Sequence, residues 1–295
     1  MATNTPFGQR LGLVLEGGAM RGIYTAGVLD VFLEAGIMPD VVVGVSAGAL
    51  HGCSYVAGQK GRSIRYYRKY RSDKHFMGLY SLLTTGDVVG TKFCYEDIPL
   101  RLDPFNEVAF EKAPVDFYVT VTNVRTGKPE YILCDELKVG SKMDVIRAGA
   151  SMPLCSKMVE WNGNLYLDGG VSDSIPYAKM KDFGCRKSIV VLTQPAGYLK
   201  QPAAMAPFEA MYRKYPAFVE AMRGRDQMYN TEVCAVEQAA KQGDVFLIRP
   251  SKLLHVGRME HDIEVLNAQY ELARQDFQQT RPSRTAAAVN RKASR

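Results

Sequence analysis

Ser46 stands at the centre of Gly44-Val45-Ser46-Ala47-Gly48, a G-x-S-x-G pentapeptide. A serine with glycine two positions before and after it suits a nucleophile carried on a tight strand-to-helix turn. A hydroxyl is a weak nucleophile until a base lies within hydrogen-bond reach. The four histidines are His51, His75, His255 and His261. His51 falls five residues past Ser46 on the helix that the motif opens, which points it away from the hydroxyl. His75 ends a basic segment, and His255 and His261 lie in polar, charged surroundings, where surface positions are expected. The other base on offer is a carboxylate. Asp168-Gly169-Gly170 follows a hairpin, and two glycines permit a turn tight enough to bring the carboxylate to Ser46 Oγ. Such a carboxyl is partly desolvated, which raises its pKa. A third motif, Glu16-Gly17-Gly18-Ala19-Met20-Arg21-Gly22, exposes consecutive backbone N–H groups suited to an oxyanion or a phosphate. As a dinucleotide fingerprint it fits poorly. Ala19 crowds the approach to a pyrophosphate, and Asp40, the only acid near the ribose-anchoring distance, starts the strand whose far end holds the serine turn.

The elements that must hold these groups follow from the hydrophobic pattern. Leu11 to Leu15 is a short apolar run entering the glycine loop, and the spacing from Gly22 to Ala35 predicts a helix that Gly36 ends. Asp40 to Val45 reads as a second buried strand and Ala47 to Ala57 as a second helix. Strand, helix, strand, helix within 60 residues implies a parallel sheet with right-handed crossovers. Further strands are expected at 116–122, 131–134, 165–167, 188–193 and 245–249, with a short helix at 144–150. Asn162-Gly163 between two short runs is a strong hairpin signal, and that hairpin delivers Asp168 to its exit. Residues 205–242 and 259–280 look helical. Met205, Phe208, Met211, Tyr212, Tyr215, Phe218 and Met222 form an apolar stripe there, read as core packing with a lid or acyl pocket as the alternative.

Composition narrows the class. The 295 residues are 46% hydrophobic and 23% charged, with six cysteines spread without a C-x-x-C pair. That excludes disorder and collagen, and indicates neither a disulfide scaffold nor a zinc site. The net charge of +6 is concentrated rather than spread. Five basic residues without an acid lie in 281–295, and Lys60 to Lys74 (KGRSIRYYRKYRSDK) holds seven against Asp73 alone. The rest is net acidic, so nucleic acid is not an expected partner. Tyr66, Tyr67 and Tyr70 interleave with the arginines, which suits either a solvated helix face or peripheral contact of residues 60–74 with an anionic membrane. The N-terminus shows no signal-peptide core, and the uncharged stretch from Val41 to Gln59 is explained by the elbow and its packing glycines rather than a membrane span. A cytoplasmic protein, peripheral to the inner face of the membrane at most, is the expectation.

Taken together, EGGAMRG, GVSAG about 25 residues later and DGG about 120 residues after that resemble the patatin-like phospholipase family in order, type and spacing. Similarity extends to Ala150-Ser151-Met152-Pro153 and to Ser172-Asp173-Ser174-Ile175-Pro176, and covers roughly residues 10–195. The resemblance implies an α/β fold, a three-layer α/β/α arrangement with a mainly parallel central sheet. It implies a Ser46–Asp168 dyad without histidine, with Ser46 as nucleophile, Asp168 as proton acceptor and the N–H groups of Gly17, Gly18 and Ala19 as oxyanion hole. Arg21, Gly22, Gly44, Gly48, Gly169 and Gly170 complete the motifs, and Arg21 is placed to steady the loop or meet a lipid phosphate. Ala19 departs from the glycine usual there, and Glu16 from the common aspartate. No cofactor or metal is called for. The implied activity is hydrolysis of phospholipid or lysophospholipid esters. A small-ester or thioester hydrolase of the same mechanism and an inactive lipid-binding or regulatory protein are the alternatives. The domain reading is a catalytic domain at 10–195, a C-terminal helical extension with one strand at 196–280 packed on the same domain, and a basic disordered tail at 281–295.

Overall fold

The structure, a computed structural model, describes residues 10–253 and 255–280, so the expected tail at 281–295 lies outside the described residues. In chain order the regular elements are β1 (Arg10–Leu15), α1 (Ile23–Ala35), β2 (Val41–Val45), α2 (Ala47–Val56), α3 (Arg62–Tyr70), α4 (Leu79–Thr85), α5 (Glu107–Glu111), β3 (Asp116–Asn123) and β4 (Pro129–Leu133). They continue as α6 (Met143–Gly149), β5 (Val159–Trp161), β6 (Asn164–Asp168), β7 (Cys185–Val191), α7 (Ala206–Met211), α8 (Pro216–Arg223), α9 (Arg225–Lys241), β8 (Val245–Ile248) and α10 (Ile263–Thr280). Gly36 ends α1 in the left-handed conformation, φ 67°, as the C-terminal glycine predicts.

The strands form one sheet of eight in the order β5-β6-β3-β2-β1-β7-β8, with β4 on β3. Strands β3, β2, β1, β7 and β8 run parallel, and the others pair antiparallel. Both faces are covered, which is why the central strands read as continuous apolar runs. Side chains alternate between the faces. Leu13, Leu15, Val42 and Val191 pack with Tyr24, Phe32, Tyr55 and Phe277 of α1, α2 and α10. Val14, Val41, Val43 and Val190 pack with Tyr229, Val236 and Ala239 of α9. The layers are therefore helix, sheet and helix. Helix α10 lies so close to α1 that a Cβ on Gly27 would stand 2.5 Å from the Tyr270 carbonyl oxygen.

Sheet register brings the serine turn and the aspartate together. Val41–Val45 pair with Asp116–Thr120 of β3, while Val121–Asn123, the next residues of β3, pair with Asp168 back to Tyr166 of β6. Strand β4 spans Tyr118–Thr122, overlapping both, so it must occupy the opposite edge. Hence β2 and β6 share one edge of β3 end to end. The residue after Val45 is Ser46 and the last residue of β6 is Asp168. The hairpin that aims β6 turns at Asn162 and Gly163, both at positive φ, 46° and 73°, the two-residue turn matched to strand twist.

The helical stretch expected at 205–242 is divided into three helices, because Pro216 starts α8 and Gly224 separates it from α9. The aromatics of 60–74 do not face outward. Tyr66, Tyr67 and Tyr70 are buried with Ile64 and Phe76, and Arg62 and Arg71 are buried with them. Arg62 donates to the Asp103 carbonyl oxygen at 2.9 Å, and Arg71 grips the carbonyl oxygens of Met259 and Glu260, each at 2.7 Å. Only Arg65, Arg68 and Lys69 on α3, with Lys60 and Lys74 beside it, stay exposed as cations. Among the described residues no helix is long and apolar enough to cross a membrane.

Candidate active site

Ser46 sits at the start of α2 with φ 53° and ψ −123°, a backbone conformation that a residue with a Cβ rarely adopts and that is held at functional turns. Close approach keeps it there. A Cβ on Gly44 would stand 2.5 Å from Ala49 Cα, and one on Gly48 would stand 2.3 Å from the Leu15 carbonyl oxygen. Glycine at both places lets β1, β2 and α2 meet at contact distance, and the hydroxyl is held over the carboxyl end of the sheet.

Ser46 Oγ donates to Asp168 Oδ2 at 2.6 Å. The other carboxylate oxygen accepts from the Gly170 N–H at 2.8 Å, so the carboxylate is fixed at both ends. Its backbone is fixed too. The Asp168 N–H donates to the Ser151 carbonyl oxygen at 2.9 Å, and Thr122 Oγ1 donates to the Asp168 carbonyl oxygen at 2.8 Å. Gly169 leaves no alternative residue, since a Cβ would stand 2.2 Å from the Thr120 carbonyl oxygen. Burial pushes the Asp168 carboxyl above the ordinary aspartate value, opposed by the Ser46 hydrogen bond, the Arg225 charge and the Gly170 N–H. A hydroxyl hydrogen-bonded to such a carboxylate can hand over its proton without water.

The glycine loop lies across from them. A Cβ on Gly17 would fall 2.7 Å from Ser46 Cβ, so the loop backbone touches the serine. Among the described residues the N–H groups of Gly17, Gly18 and Ala19 donate no hydrogen bond. Ala19 has φ 49°. Glu16 anchors the loop from below. It is buried, accepts from the Thr193 N–H at 2.6 Å and from Tyr229 Oη at 3.0 Å, and burial raises its pKa. Gln269 of α10 donates to the Arg21 carbonyl oxygen at 2.7 Å. Gly22 packs against Ala47, where a Cβ would stand 2.6 Å away, tying the loop to α2.

Two cavities meet at Ser46. One, with an empty volume of ≈ 900 Å³, runs under α3 and is apolar, lined by Leu50, Tyr66, Phe76, Tyr95, Ile98 and Met143 among others. Its wall includes a π-helical segment, Phe93–Leu102, containing Pro99, where the lost proline N–H accompanies a widened turn. The other, ≈ 950 Å³, holds Gly17, Gly18, Asp168, Arg21, Lys200, Arg225 and Arg258. Ala19, Ser46 and Met152 line both.

No histidine lines either cavity. His51 is buried, both ring nitrogens lack a partner among the described residues, and burial pushes its pKa down to about 4, so it is neutral. His75 pairs with Asp73 at 2.8 Å on the surface. His255 and His261 are exposed. Among the described residues no cluster of three or more His, Cys, Asp or Glu could hold a metal ion. The structure thus brings together Ser46, Asp168, Gly17, Gly18, Ala19, Arg21 and Gly170. Sequence reading missed Lys200, Arg225 and Arg258, and the apolar wall contributed by 62–105, because nothing in their local spacing marks them.

The family model described as patatin-like phospholipase matches residues 13–180, and a second, a domain of unknown function (DUF6363), matches 215–283. YjjU of Escherichia coli, an uncharacterized protein, is 28% identical over 90% of this chain and 75% of its own length. Lysophospholipase nte1 of Aspergillus terreus is 30% identical over 60% of this chain, and lysophospholipase NTE1 of Saccharomyces cerevisiae is 30% identical over 62%. Each match spans 11% of the fungal protein's length. The crystal structure of VipD from Legionella pneumophila superposes with a TM-score of 0.42 at 12% identity, covering 91% of this chain and 67% of that one.

Proposed function

The chain belongs to the patatin-like phospholipase family, and from that premise we propose that it is a serine acyl hydrolase cleaving phospholipid or lysophospholipid esters through Ser46 and Asp168. The observation that carries the reading is the 2.6 Å hydrogen bond from Ser46 to the buried Asp168 at the point where an apolar and a cationic cavity meet. The fungal lysophospholipases support the substrate class.

In the first half-reaction Ser46 Oγ attacks the ester carbonyl carbon while its proton passes to Asp168 Oδ2. The carbonyl oxygen becomes an oxyanion, stabilised by the unengaged N–H groups of Gly17, Gly18 and Ala19 and by the N-terminus of α2. Collapse breaks the C–O bond, the leaving alcohol takes the proton back from Asp168, and the acyl group stays on Ser46 with its chain in the apolar cavity. Asp168 then accepts a proton from water, whose oxygen attacks the acyl carbon. Fatty acid leaves and Ser46 regains its proton. The family-like Arg21 lines the cationic side, with its Nε buried and unpartnered among the described residues.

Two measurements test this reading. Wild type is expected to release palmitate from palmitoyl-lysophosphatidylcholine. Leu50→Trp, which fills the apolar cavity, is expected to lower kcat/KM for palmitoyl relative to butyryl esters by about tenfold, the scale of ~1.4 kcal/mol of lost chain burial; an unchanged ratio would place the acyl chain elsewhere. The second is pH. Asp168 must be ionised to accept the proton and burial raises its pKa, so activity is lost as pH falls through that raised value. With an uncharged ester, the acid limb of kcat/KM is expected above the 3.8 of an ordinary aspartate. A limb at or below it would assign the base to another group.

A further inference from the structure

Arg21, Lys200, Arg225 and Arg258 line the cavity beside Ser46. Among the described residues none of the four pairs with a carboxylate within the 4.0 Å of an ion pair. Arg223, two residues from Arg225 but on the outer surface, pairs with both Glu209 and Glu220. The cavity's own acids are Glu16 and Asp168, and both are occupied, Glu16 by Thr193 and Tyr229 and Asp168 by Ser46 and Gly170. Four cations facing two acids leave an excess of two positive charges in a partly desolvated space, where an anion is held more strongly than at an open surface.

Lys200 and Arg225 are held by contacts of their own, while Arg258 is exposed. Lys200 is clamped by Asn230, which accepts from its N–H at 2.9 Å and donates to its carbonyl oxygen at 3.1 Å, and its ammonium lies 4.2 Å from the centre of the Tyr229 ring. Arg225 begins α9 and donates Nε to the Gly170 carbonyl oxygen at 2.6 Å. Arg258 precedes Met259 and Glu260, whose carbonyl oxygens Arg71 grips. Burial first, then the charges of Arg225, Arg21 and Arg258 against that of Glu16, brings Lys200 down to about 8, the direction desolvation gives an ammonium.

We propose that Lys200, Arg225 and Arg258, together with Arg21, form the subsite for the phosphate ester of a glycerophospholipid, and that building this subsite is the task of the C-terminal region. Arg225 and Arg258 fall within 215–283, matched by the model of unknown function, and Lys200 shortly precedes it. The inference rests on the reading of Ser46 as nucleophile and narrows its substrate. An ester carbonyl at Ser46 has its acyl chain on the apolar side and its alcohol on the cationic side, and in a glycerophospholipid the phosphate is one glycerol away from that alcohol oxygen. Guanidinium groups suit phosphate oxygens through paired N–H donors.

The test uses the full chain with Lys200→Met, Arg258→Met and the double variant, leaving Arg225 because it also holds the Gly170 loop. For the double variant, kcat/KM for lysophosphatidylcholine relative to p-nitrophenyl butyrate is expected to fall at least tenfold, with Lys200→Arg restoring most of the single-variant loss. Calorimetric titration of wild type with glycerol 3-phosphate is expected to show binding that the double variant loses, and inorganic phosphate is expected to bind more weakly. A ratio that does not move, or both activities falling in step, would overturn the subsite. Phosphate binding as tight as glycerol 3-phosphate, with an unmoved ratio, would make it a site for free phosphate. Absent ester hydrolysis with glycerol 3-phosphate binding intact in wild type and lost in the variant would refute the hydrolase reading while leaving the phosphate subsite standing.

Discussion

Ser46→Ala is expected to lower kcat for ester hydrolysis by at least about 10⁴-fold, and Asp168→Asn to come within about tenfold of it, with both proteins folded. Nucleophile and base act as a unit, so removing either forfeits nearly the whole chemical step. Asparagine tests the charge rather than the shape. Its side-chain oxygen can still accept from the Gly170 N–H, as Asp168 Oδ1 does, but an amide in place of Oδ2 cannot take a proton from Ser46. No histidine lines the cavities to substitute, so His51→Ala, His255→Ala and His261→Ala should leave no comparable deficit. Steady-state kinetics on a soluble ester, with circular dichroism for the fold, decides the matter. A variant Asp168→Asn retaining most of the activity would remove Asp168 from the role given to it.

Gly48→Ala is expected to have the next largest effect, a loss of about 100-fold or more in kcat/KM together with ~1–3 kcal/mol of stability. The added Cβ would lie 2.3 Å from the Leu15 carbonyl oxygen, 2.8 Å from its carbon and 2.9 Å from the Glu16 carbonyl oxygen. All three are backbone atoms and cannot rotate away, so α2 and the exit of β1 must separate, at the cost typical of overpacking. The displacement acts on both halves of the site, because Ser46 immediately precedes α2 and Gly17 follows Glu16. Gly36→Ala is the matched control. Gly36 has φ 67° with nothing within 4 Å of a Cβ, so its cost is backbone strain of ~1 kcal/mol far from the serine. Denaturant midpoints and kcat/KM measured together separate the two. If Gly48→Ala lost stability alone, the contact between elbow and loop would be structural only.

Much of this site is legible in the chain because its motifs are local. G-x-S-x-G states its own turn, Asn162-Gly163 states the hairpin, and glycines at 17, 44, 48 and 169 mark where backbone must pass close to backbone. What joins Ser46 to Asp168 is not local. It depends on β2 and β6 sharing an edge of β3, which no spacing along the chain encodes. Lys200, Arg225 and Arg258 were illegible for the same reason, since each is a single cation brought in by packing of the C-terminal elements. The tyrosines of α3 are different. Arg62, Ser63, Tyr66, Tyr67 and Tyr70 recur at helical spacing on one face and Arg65, Arg68 and Lys69 on the other. The pattern of a buried face was present, and an arginine count obscured it. Arg62 goes inward because the Asp103 carboxylate lies 3.5 Å away.

Reaction with a fluorophosphonate probe reads the activation of Ser46 without a substrate. Wild type is expected to take up one equivalent, with the adduct mapped to Ser46 by peptide mass spectrometry, while Ser46→Ala takes up none and Asp168→Asn reacts at least about 100-fold more slowly. Equal labelling of wild type and Asp168→Asn, or no labelling of well-folded wild type, would mean that Asp168 does not activate Ser46.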